Sequence, residues 1–290
     1  MSDPRTIPSA AFFQSLSADE QGFHRLAGWL KRTTGIHMPP SPKNFTLMAS
    51  RLSKVMGGLG LSSYQELHEQ LQKGNPEVQK VFIEALTTNK TEFFREVQHF
   101  QILPRIAQDV LQKKGQLRLW CAAASRGHEP YSILFTLLEA GLDPQRQALK
   151  FLASDIDRTV LEAASKGVYR AEELLGVPTP IRDRYMVKLR DKGQGERWKV
   201  RDELRDMITF ALLNLVEFPY PFQHKFDIIF CRNVLIYFER DTVAKVKQQL
   251  AQVLAPEGYL FIGHSETGSG RVATLHSMDS AVFQKREEAF

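Results

Sequence analysis

The segment Phe226-Asp-Ile-Ile-Phe-Cys-Arg-Asn-Val-Leu-Ile-Tyr-Phe238 joins an apolar, strand-type run to a polar pair, Arg232-Asn233, and then to a single hydroxyl, Tyr237. Ligands of open α/β sheets bind beyond the carboxyl ends of strands, so polar groups placed there point to a site more than to a requirement of the fold. A second constellation lies earlier in the chain. The loop Ala122-Ala-Ala-Ser-Arg-Gly-His128 follows an apolar run and precedes Glu129, and Asp155 ends the next apolar run. A pyrophosphate cradle wants Gly-x-Gly-x-x-Gly, and this loop has one glycine and three alanines. It is small and tight but suits an adenosine ligand without phosphate. An acid at the position of Asp155 can accept hydrogen bonds from ribose hydroxyls. Small loop and strand-end acid together favour S-adenosylmethionine over NAD. Glu129 also suits the positive end of a helix, so the residues alone leave open whether it is a ligand or a good helix-opening residue.

These groups need a frame, and the periodicity supplies one. Residues 10–35 read as helix, with Phe12, Phe13, Leu16, Phe23, Leu26 and Leu30 at near-helical spacing. Asn44 to Met56 reads as a helix ended by Gly57-Gly58, Tyr64 to Leu71 as a helix capped by Ser62 or Ser63, and a further helix starts at Glu77. From Leu117 onward strands alternate with helices: strands at Leu117–Cys121, Lys150–Ser154, Ile208–Leu213, Phe226–Cys231, Tyr259–Gly263 and Ala281–Lys285, helices at Glu129–Glu139, Thr159–Ser165 and Asp241–Leu254. That rhythm predicts an α/β fold, a doubly wound and mostly parallel Rossmann-type sheet. Residues 181–205 interrupt it with Tyr185–Leu189 and Arg197–Val200 around Gly193-Gln-Gly195, a hairpin-like insertion that reads as a recognition device or as a surface excursion. The expected organisation is a helical domain over 1–85 and an α/β domain over 86–290 with the insertion at about 181–205.

Composition narrows the function classes. The net charge is +5, and residues 21–60 carry Arg25, Lys31, Arg32, Lys43, Arg51 and Lys54 with no Asp or Glu. This predicts a basic face toward an acidic partner, or a solvated helical surface. Without interleaved aromatics it is a poor nucleic-acid footprint. No apolar run approaches the ~18 residues of a membrane span, and Met1-Ser-Asp-Pro-Arg lacks the apolar core of a secretory signal, so a cytoplasmic location is expected. Cys121 and Cys231 lie in apolar strand-like runs and read as buried reduced thiols, with no disulfide expected. The eight histidines are scattered, no Cys/His spacing resembles a zinc site, and no metal is expected.

Taken together, Leu86-Thr-Thr-Asn-Lys-Thr-Glu-Phe-Phe-Arg95, Trp120 through Ser132, Ala153-Ser-Asp-Ile-Asp157, Phe230 through Phe238 and Gly263-His-Ser-Glu266 occur in an order that resembles the chemotaxis receptor methyltransferases of the CheR type. The likeness covers nearly the whole chain. It implies a protein-glutamate O-methyltransferase that uses S-adenosylmethionine and releases S-adenosylhomocysteine. It implies cofactor contacts from Asn89, Thr91, Arg95, Ala123, Glu129, Asp155, Asn214, Leu215, Arg232 and Asn233, with Arg95 and Tyr237 beside the transferred methyl group. The implied partner is the cytoplasmic domain of a chemoreceptor, met by basic N-terminal helices, with a receptor tail peptide adding to the inserted β-subdomain in some members. No nucleic acid and no membrane insertion are implied, only peripheral association with receptor arrays, and the output is sensory adaptation.

Elementary chemistry agrees with that reading. A glutamate acceptor has a reference pKa of about 4.3 and is ionised at neutral pH, so the reaction needs no general base. Alignment of carboxylate, methyl carbon and sulfur then carries much of the rate. The residues by themselves also admit a surface ion pair of Arg95 with Glu92 or Glu96, core packing of Tyr237, and capping roles for Asn89 and Thr91.

Two features depart from the family pattern. The loop usually resembles Ala-Cys-Ser-Thr-Gly-Glu-Glu-Pro, whereas here it is Ala123-Ala-Ser-Arg-Gly-His-Glu-Pro130. Arg126 and His128 bring positive potential toward a cationic cofactor, which weakens binding if they face the sulfonium. The second helix keeps Arg51 and Lys54 but has Gly57 where more basic charge is usual. Arg126 and His128 motivate one alternative, a non-catalytic module that senses S-adenosylmethionine or docks on a signalling partner.

Overall fold

A computed structural model describes residues 9–142, 148–189, 195–268, 270–279 and 281–286. The chain divides into two compact units, one of residues 1–88 with 237–239 and one of residues 89–236 with 240–290.

The first unit is helical: α1 Ala10–Ala18, α2 Glu20–Thr34, α3 Pro42–Leu59, α4 Tyr64–Gln72 and α5 Pro76–Leu86. Each start carries a side-chain cap, from Ser9, Asp19, Ser41, Ser63 and Asn75 in turn, which satisfies amide groups that the first helical turn leaves unpaired. The single helix expected over 10–35 is therefore two. Asp19 breaks it by accepting a hydrogen bond from the amide of Gly22 at 2.8 Å. The helix expected to end at Gly57-Gly58 runs on to Leu59 and stops at Gly60, whose φ of 69° is the left-handed conformation that favours glycine. Phe23, Leu26, Leu30, Met48, Leu52 and Phe82 form the centre of its core.

Arg51 has a structural task in this unit. Its Nη1 donates to the carbonyls of Leu86 (3.0 Å) and Thr87 (2.9 Å), and its Nη2 to Thr88 Oγ1 (3.3 Å). It thus satisfies carbonyls at the C-terminal end of α5. Lys31 pairs with Glu239 at 2.7 Å, while Arg25, Arg32, Lys43 and Lys54 are exposed. The basic stretch is therefore only partly available as a surface.

The second unit opens with α6 Gln98–Lys114, which the sequence reading left unassigned. Its signal was present: Phe100, Leu103, Ile106, Ala107, Val110 and Leu111 recur at helical spacing and are buried. Pro104 inside the helix disguised it. There follow β1 Gln116–Ala122, α7 His128–Glu139, β2 Ala148–Asp155, α8 Arg158–Lys166, β3 Val168–Arg170, α9 Thr179–Tyr185, β4 Met186–Leu189, β5 Arg197–Val200, α10 Asp202–Arg205, β6 Ile208–Leu212, β7 Phe226–Cys231, α11 Arg240–Val253, β8 Leu254–Ile262, β9 Leu275–Asp279 and β10 Val282–Lys285.

Seven strands form one sheet in the order β6-β2-β1-β7-β8-β10-β9. β6, β2, β1, β7 and β8 pair in parallel, and β10 runs antiparallel to β8 and β9. The Rossmann-type expectation holds, with an antiparallel edge. The order reverses between β1 and β7, so the carboxyl ends of these two central strands flank the switch point where such sheets bind ligands. Asp227, the acid at the start of β7, is structural. Its Oδ2 accepts the amide of Arg118 at 2.9 Å, and its Oδ1 meets Lys114 Nζ at 2.5 Å, so it ties β7 to β1 and to the end of α6. Cys121 and Cys231 are buried in β1 and β7, in a register that pairs Ala122 with Cys231.

The insertion is larger than a hairpin. β5 pairs antiparallel with both β4 and β3, giving a three-stranded sheet that recruits Val168–Arg170 from before the expected segment. The three-residue β3 has too little periodicity to be read from sequence. The turn expected around Gly193 lies outside the described residues except at its end.

Candidate functional site

The loop after β1 turns sharply. Ala123, Ser125 and Gly127 all have positive φ, of 56°, 49° and 87°. A Cβ at position 127 would lie 2.8 Å from the Tyr169 hydroxyl and 2.9 Å from Ala164 Cβ, so the bend needs glycine for space as well as conformation. Asp155, at the end of β2, holds the loop. Its Oδ2 accepts the amide of Ser125 at 2.8 Å and its Oδ1 the amide of Asp157 at 3.0 Å. Burial pushes its carboxyl up to about 6, against these backbone hydrogen bonds. Each carboxylate oxygen still has a lone pair for a further donor. Asn89 joins the group: its Nδ2 donates to Asp157 Oδ2 at 2.8 Å and its carbonyl accepts from Ser125 Oγ at 3.4 Å. Asn214 follows β6, where the amide of Leu213 donates to the Asp155 carbonyl at 2.9 Å. Asn214 shapes its own turn, accepting the amide of Val216 (3.2 Å) and donating to Glu217 (3.0 Å), and Leu215 is buried beside it.

A second cluster gathers where β1 and β7 end. Arg232 is wholly buried at its side chain and places Nη1 3.0 Å from Glu129 Oε2 and Nη2 3.4 Å from Glu96 Oε2. Nη2 also donates to the carbonyl of Arg95. Burial pushes Glu129 up, while Arg232 and the thiol of Cys121, 3.4 Å away, pull it back. Glu96 also suffers burial, but the hydrogen bond from Asn233 Nδ2 (3.1 Å) and the charges of Arg232, His264 and His99 hold it below the usual carboxylate range. Glu96 and Asn233 both have a φ of 57°, a left-handed conformation that asparagine tolerates and that glutamate adopts against ordinary preference. Sequence reasoning offered Glu96 only as an alternative surface partner of Arg95, and gave Glu266 no role beyond its place in the Gly263–Glu266 motif. Nor did it foresee that Glu96, His99 and His264 place ligand-type atoms within 4.8 Å of one another, because 165 positions separate the two histidines.

Arg95 is half-buried; its Nη1 donates to the Lys90 carbonyl at 3.4 Å, and among the described residues it forms no ion pair with Glu92 or Glu96. Thr91 and Asn89 line a cleft of about 590 Å³ with Phe93, Phe94, Arg126 and Glu173 among its walls; Asp155, Glu129 and Arg232 are not part of that lining. Tyr237 belongs to the helical unit, is half-buried, and its carbonyl accepts the amide of His37 at 2.8 Å. Of the residues expected in the site, the structure thus brings Asn89, Ala123 and Asp155 together around one turn and Glu129, Arg232, Asn233 and the backbone of Arg95 around another.

The positive charge expected from the β1–α7 loop is largely cancelled. Arg126 Nη1 lies 3.3 Å from Glu173 Oε1. His128 is buried among Phe93 and Tyr169, and burial together with Arg126 pushes its imidazole down to about 4. It is neutral near pH 7.

Residues 89–283 match the model described as CheR methyltransferase, SAM binding domain, and residues 21–87 the CheR methyltransferase, all-alpha domain. The chain belongs to the CheR methyltransferase family. The chemotaxis protein methyltransferase 2 of Pseudomonas aeruginosa is 40% identical over 266 residues, spanning 91% of this chain and 92% of that protein. The chemotaxis protein methyltransferase of Salmonella typhimurium is 38% identical over 272 residues, spanning 93% and 92%. In this CheR chain the two clusters lie within the range of the S-adenosylmethionine-binding domain, one at the ends of β1 and β2 and the other at the switch point between β1 and β7. Among the described residues no helix is long and apolar enough to cross a membrane.

The site's own atoms fit such a cofactor. Among the described residues Arg232 Nε is buried without a hydrogen-bond partner, and Nη1 faces Glu129 without an aligned hydrogen bond, so Nε is a donor suited to a carboxylate of the amino-acid end. Glu129 offers negative charge beside them, and Asp155 keeps acceptor capacity for ribose hydroxyls.

Proposed function

We propose that this CheR chain methylates glutamate side chains of chemoreceptors, forming methyl esters and releasing S-adenosylhomocysteine, and so serves sensory adaptation. The observation that carries this reading is the match of both domain ranges together with relatives aligned over about nine tenths of this chain and of their own length. Bound S-adenosylmethionine supplies an activated methyl group on a sulfonium. The chain's residues do the rest. Asp155 accepts from the ribose, Arg232 and Glu129 take the charged amino-acid end, and Asn89, Thr91, Ala123, Asn214, Leu215 and Asn233 make the further cofactor contacts. Arg95 orients the acceptor carboxylate through its planar fork, and among the described residues neither Glu92 nor Glu96 competes for it. Because the acceptor is ionised at neutral pH, no residue has to remove a proton. The reaction neutralises two opposite charges, so exclusion of water from the pocket favours it.

In this reading residues 1–85 form the receptor-contact domain and 86–290 the catalytic domain. Arg25, Arg32, Lys43 and Lys54 are the charges left to meet an acidic receptor helix. The inserted three-stranded sheet has edge strands β3 and β4 on which a receptor tail can pair. Work takes place in the cytoplasm at receptor arrays. Nothing at Arg126 or His128 favours a module without turnover, since the charge of one is paired and the other is neutral. The test is transfer of labelled methyl to receptor-bearing membranes. Base-labile label supports the reading; cofactor binding without label on any receptor supplied contradicts it.

A further inference from the structure

The segment Gly263-His-Ser-Glu266 takes no part in the reaction described, yet it carries a carboxylate with only 3% exposure at the residue level. Oε2 of Glu266 accepts the amides of Gly263 (2.7 Å) and Asn233 (2.9 Å), and Oε1 the amide of Ile236 (3.2 Å). Two of these three donors belong to the turn after β7, which begins at Arg232. The approach is built for this contact: a Cβ at Gly263 would lie 2.6 Å from Glu266 Oε2 and 2.8 Å from Asn233 Nδ2. From the other side, Glu96 accepts Asn233 Nδ2 and the amide of His264 (3.3 Å), and approaches Arg232 Nη2. Asn233, in a left-handed conformation that asparagine tolerates better than other side chains, is therefore held at its backbone by one buried acid and at its side chain by another. Glu96 Oε2 lies 2.9 Å from His264 Nδ1 and 3.4 Å from Arg232 Nη2, so the same carboxylate reaches both the turn after β7 and the segment that carries Glu266.

We infer that Glu266, with Glu96, is a positioning residue that fixes the Arg232–Asn233 turn in its cofactor-binding geometry. This rests on the assignment of Arg232 and Asn233 to the cofactor. A buried carboxylate is needed because amides converge on both of its oxygens. Glutamine would accept at one oxygen and present a donor to a donor at the other.

The test is binding of S-adenosylhomocysteine to the full chain by calorimetry, with methyl-transfer kinetics, for the wild type, Glu266→Gln and Gly263→Ala. The expected result is a Kd and a KM for S-adenosylmethionine raised by about tenfold in Glu266→Gln, the scale of one lost charge-assisted hydrogen bond. kcat should change much less, and Gly263→Ala should shift Kd in the same direction. A purely structural role lowers the melting temperature and leaves Kd and KM unchanged; that result overturns the inference. If Glu266→Gln does not fold, Gly263→Ala decides by the same criterion. Wild-type protein that fails to bind S-adenosylhomocysteine overturns the cofactor assignment and this inference with it, whereas tight wild-type binding with unaltered variants overturns the inference alone.

Discussion

Arg232 and Glu129 meet at 3.0 Å across the two central strand ends of the sheet, one following β7 and the other opening α7. The arginine side chain is fully buried and the glutamate 14% exposed. Such a pair adds little net stability to a fold, because desolvation offsets much of the attraction, but removing one partner strands the other. Glu129→Gln should therefore cost about 3 kcal/mol, near the lower end of the range for a broken buried pair because Glu96 still faces Arg232. Urea unfolding measures the loss, and calorimetry should show weakened cofactor binding in the same variant.

The pH dependence of binding follows from Asp155. Its folded-state value is raised to about 6 by burial, against about 3.9 in an unfolded chain. The folded state therefore takes up the proton first. The associated stability is fully present below about pH 4 and is lost as pH rises through about 6, a span of about 3 kcal/mol. Ribose hydroxyls need the ionised acceptor, so S-adenosylhomocysteine affinity should fall as pH drops below 6. Glu129, also raised by burial, adds in the same direction, and Asp157 faces the same carboxyl. Comparing wild type with Asp155→Asn between pH 5 and 8 isolates the contribution of Asp155. Equal pH slopes in the two proteins would contradict the assignment.

Much of this was legible in the sequence. Six strands of the main sheet and the loop at Ser125 follow from apolar runs and a glycine. Pro104 concealed α6, and β3 is too short to announce itself. The site was legible as two strand ends with acids and an arginine. What the sequence hides is partnership over distance. Glu96 and Glu266 look like ordinary helix or loop acids until the fold places both against Asn233. Arg126 looks like a free charge until Glu173 is found beside it.

Arg126→Ala tests that last point. With its charge already paired to Glu173 and His128 neutral, the substitution should leave cofactor affinity at pH 7.5 within about threefold, less than the tenfold that ~1.4 kcal/mol represents. A large gain in affinity would mean that the guanidinium repels the sulfonium after all.

Arg51→Ala addresses the helical unit. It removes the donors to the Leu86 and Thr87 carbonyls and to Thr88 Oγ1. The expected loss is about 1–3 kcal/mol of that unit's stability, read by hydrogen exchange at α5 or by denaturant melting. Receptor affinity should fall more on substituting the exposed Arg25 and Arg32 than on substituting Arg51 when each variant is assayed well below its unfolding midpoint.

The most direct measurement is methyl transfer itself. Labelled S-adenosylmethionine, receptor-bearing membranes and the purified chain are combined, and the label is scored as methanol released by base, with Arg95→Ala and Arg95→Lys beside the wild type. The account predicts base-labile label with the wild type. It predicts a loss of about 10²-fold or more in rate with Arg95→Ala, the scale of misplacing a reacting group, and incomplete rescue by lysine, which lacks the planar fork. Full activity in Arg95→Ala, or label stable to base, would contradict it.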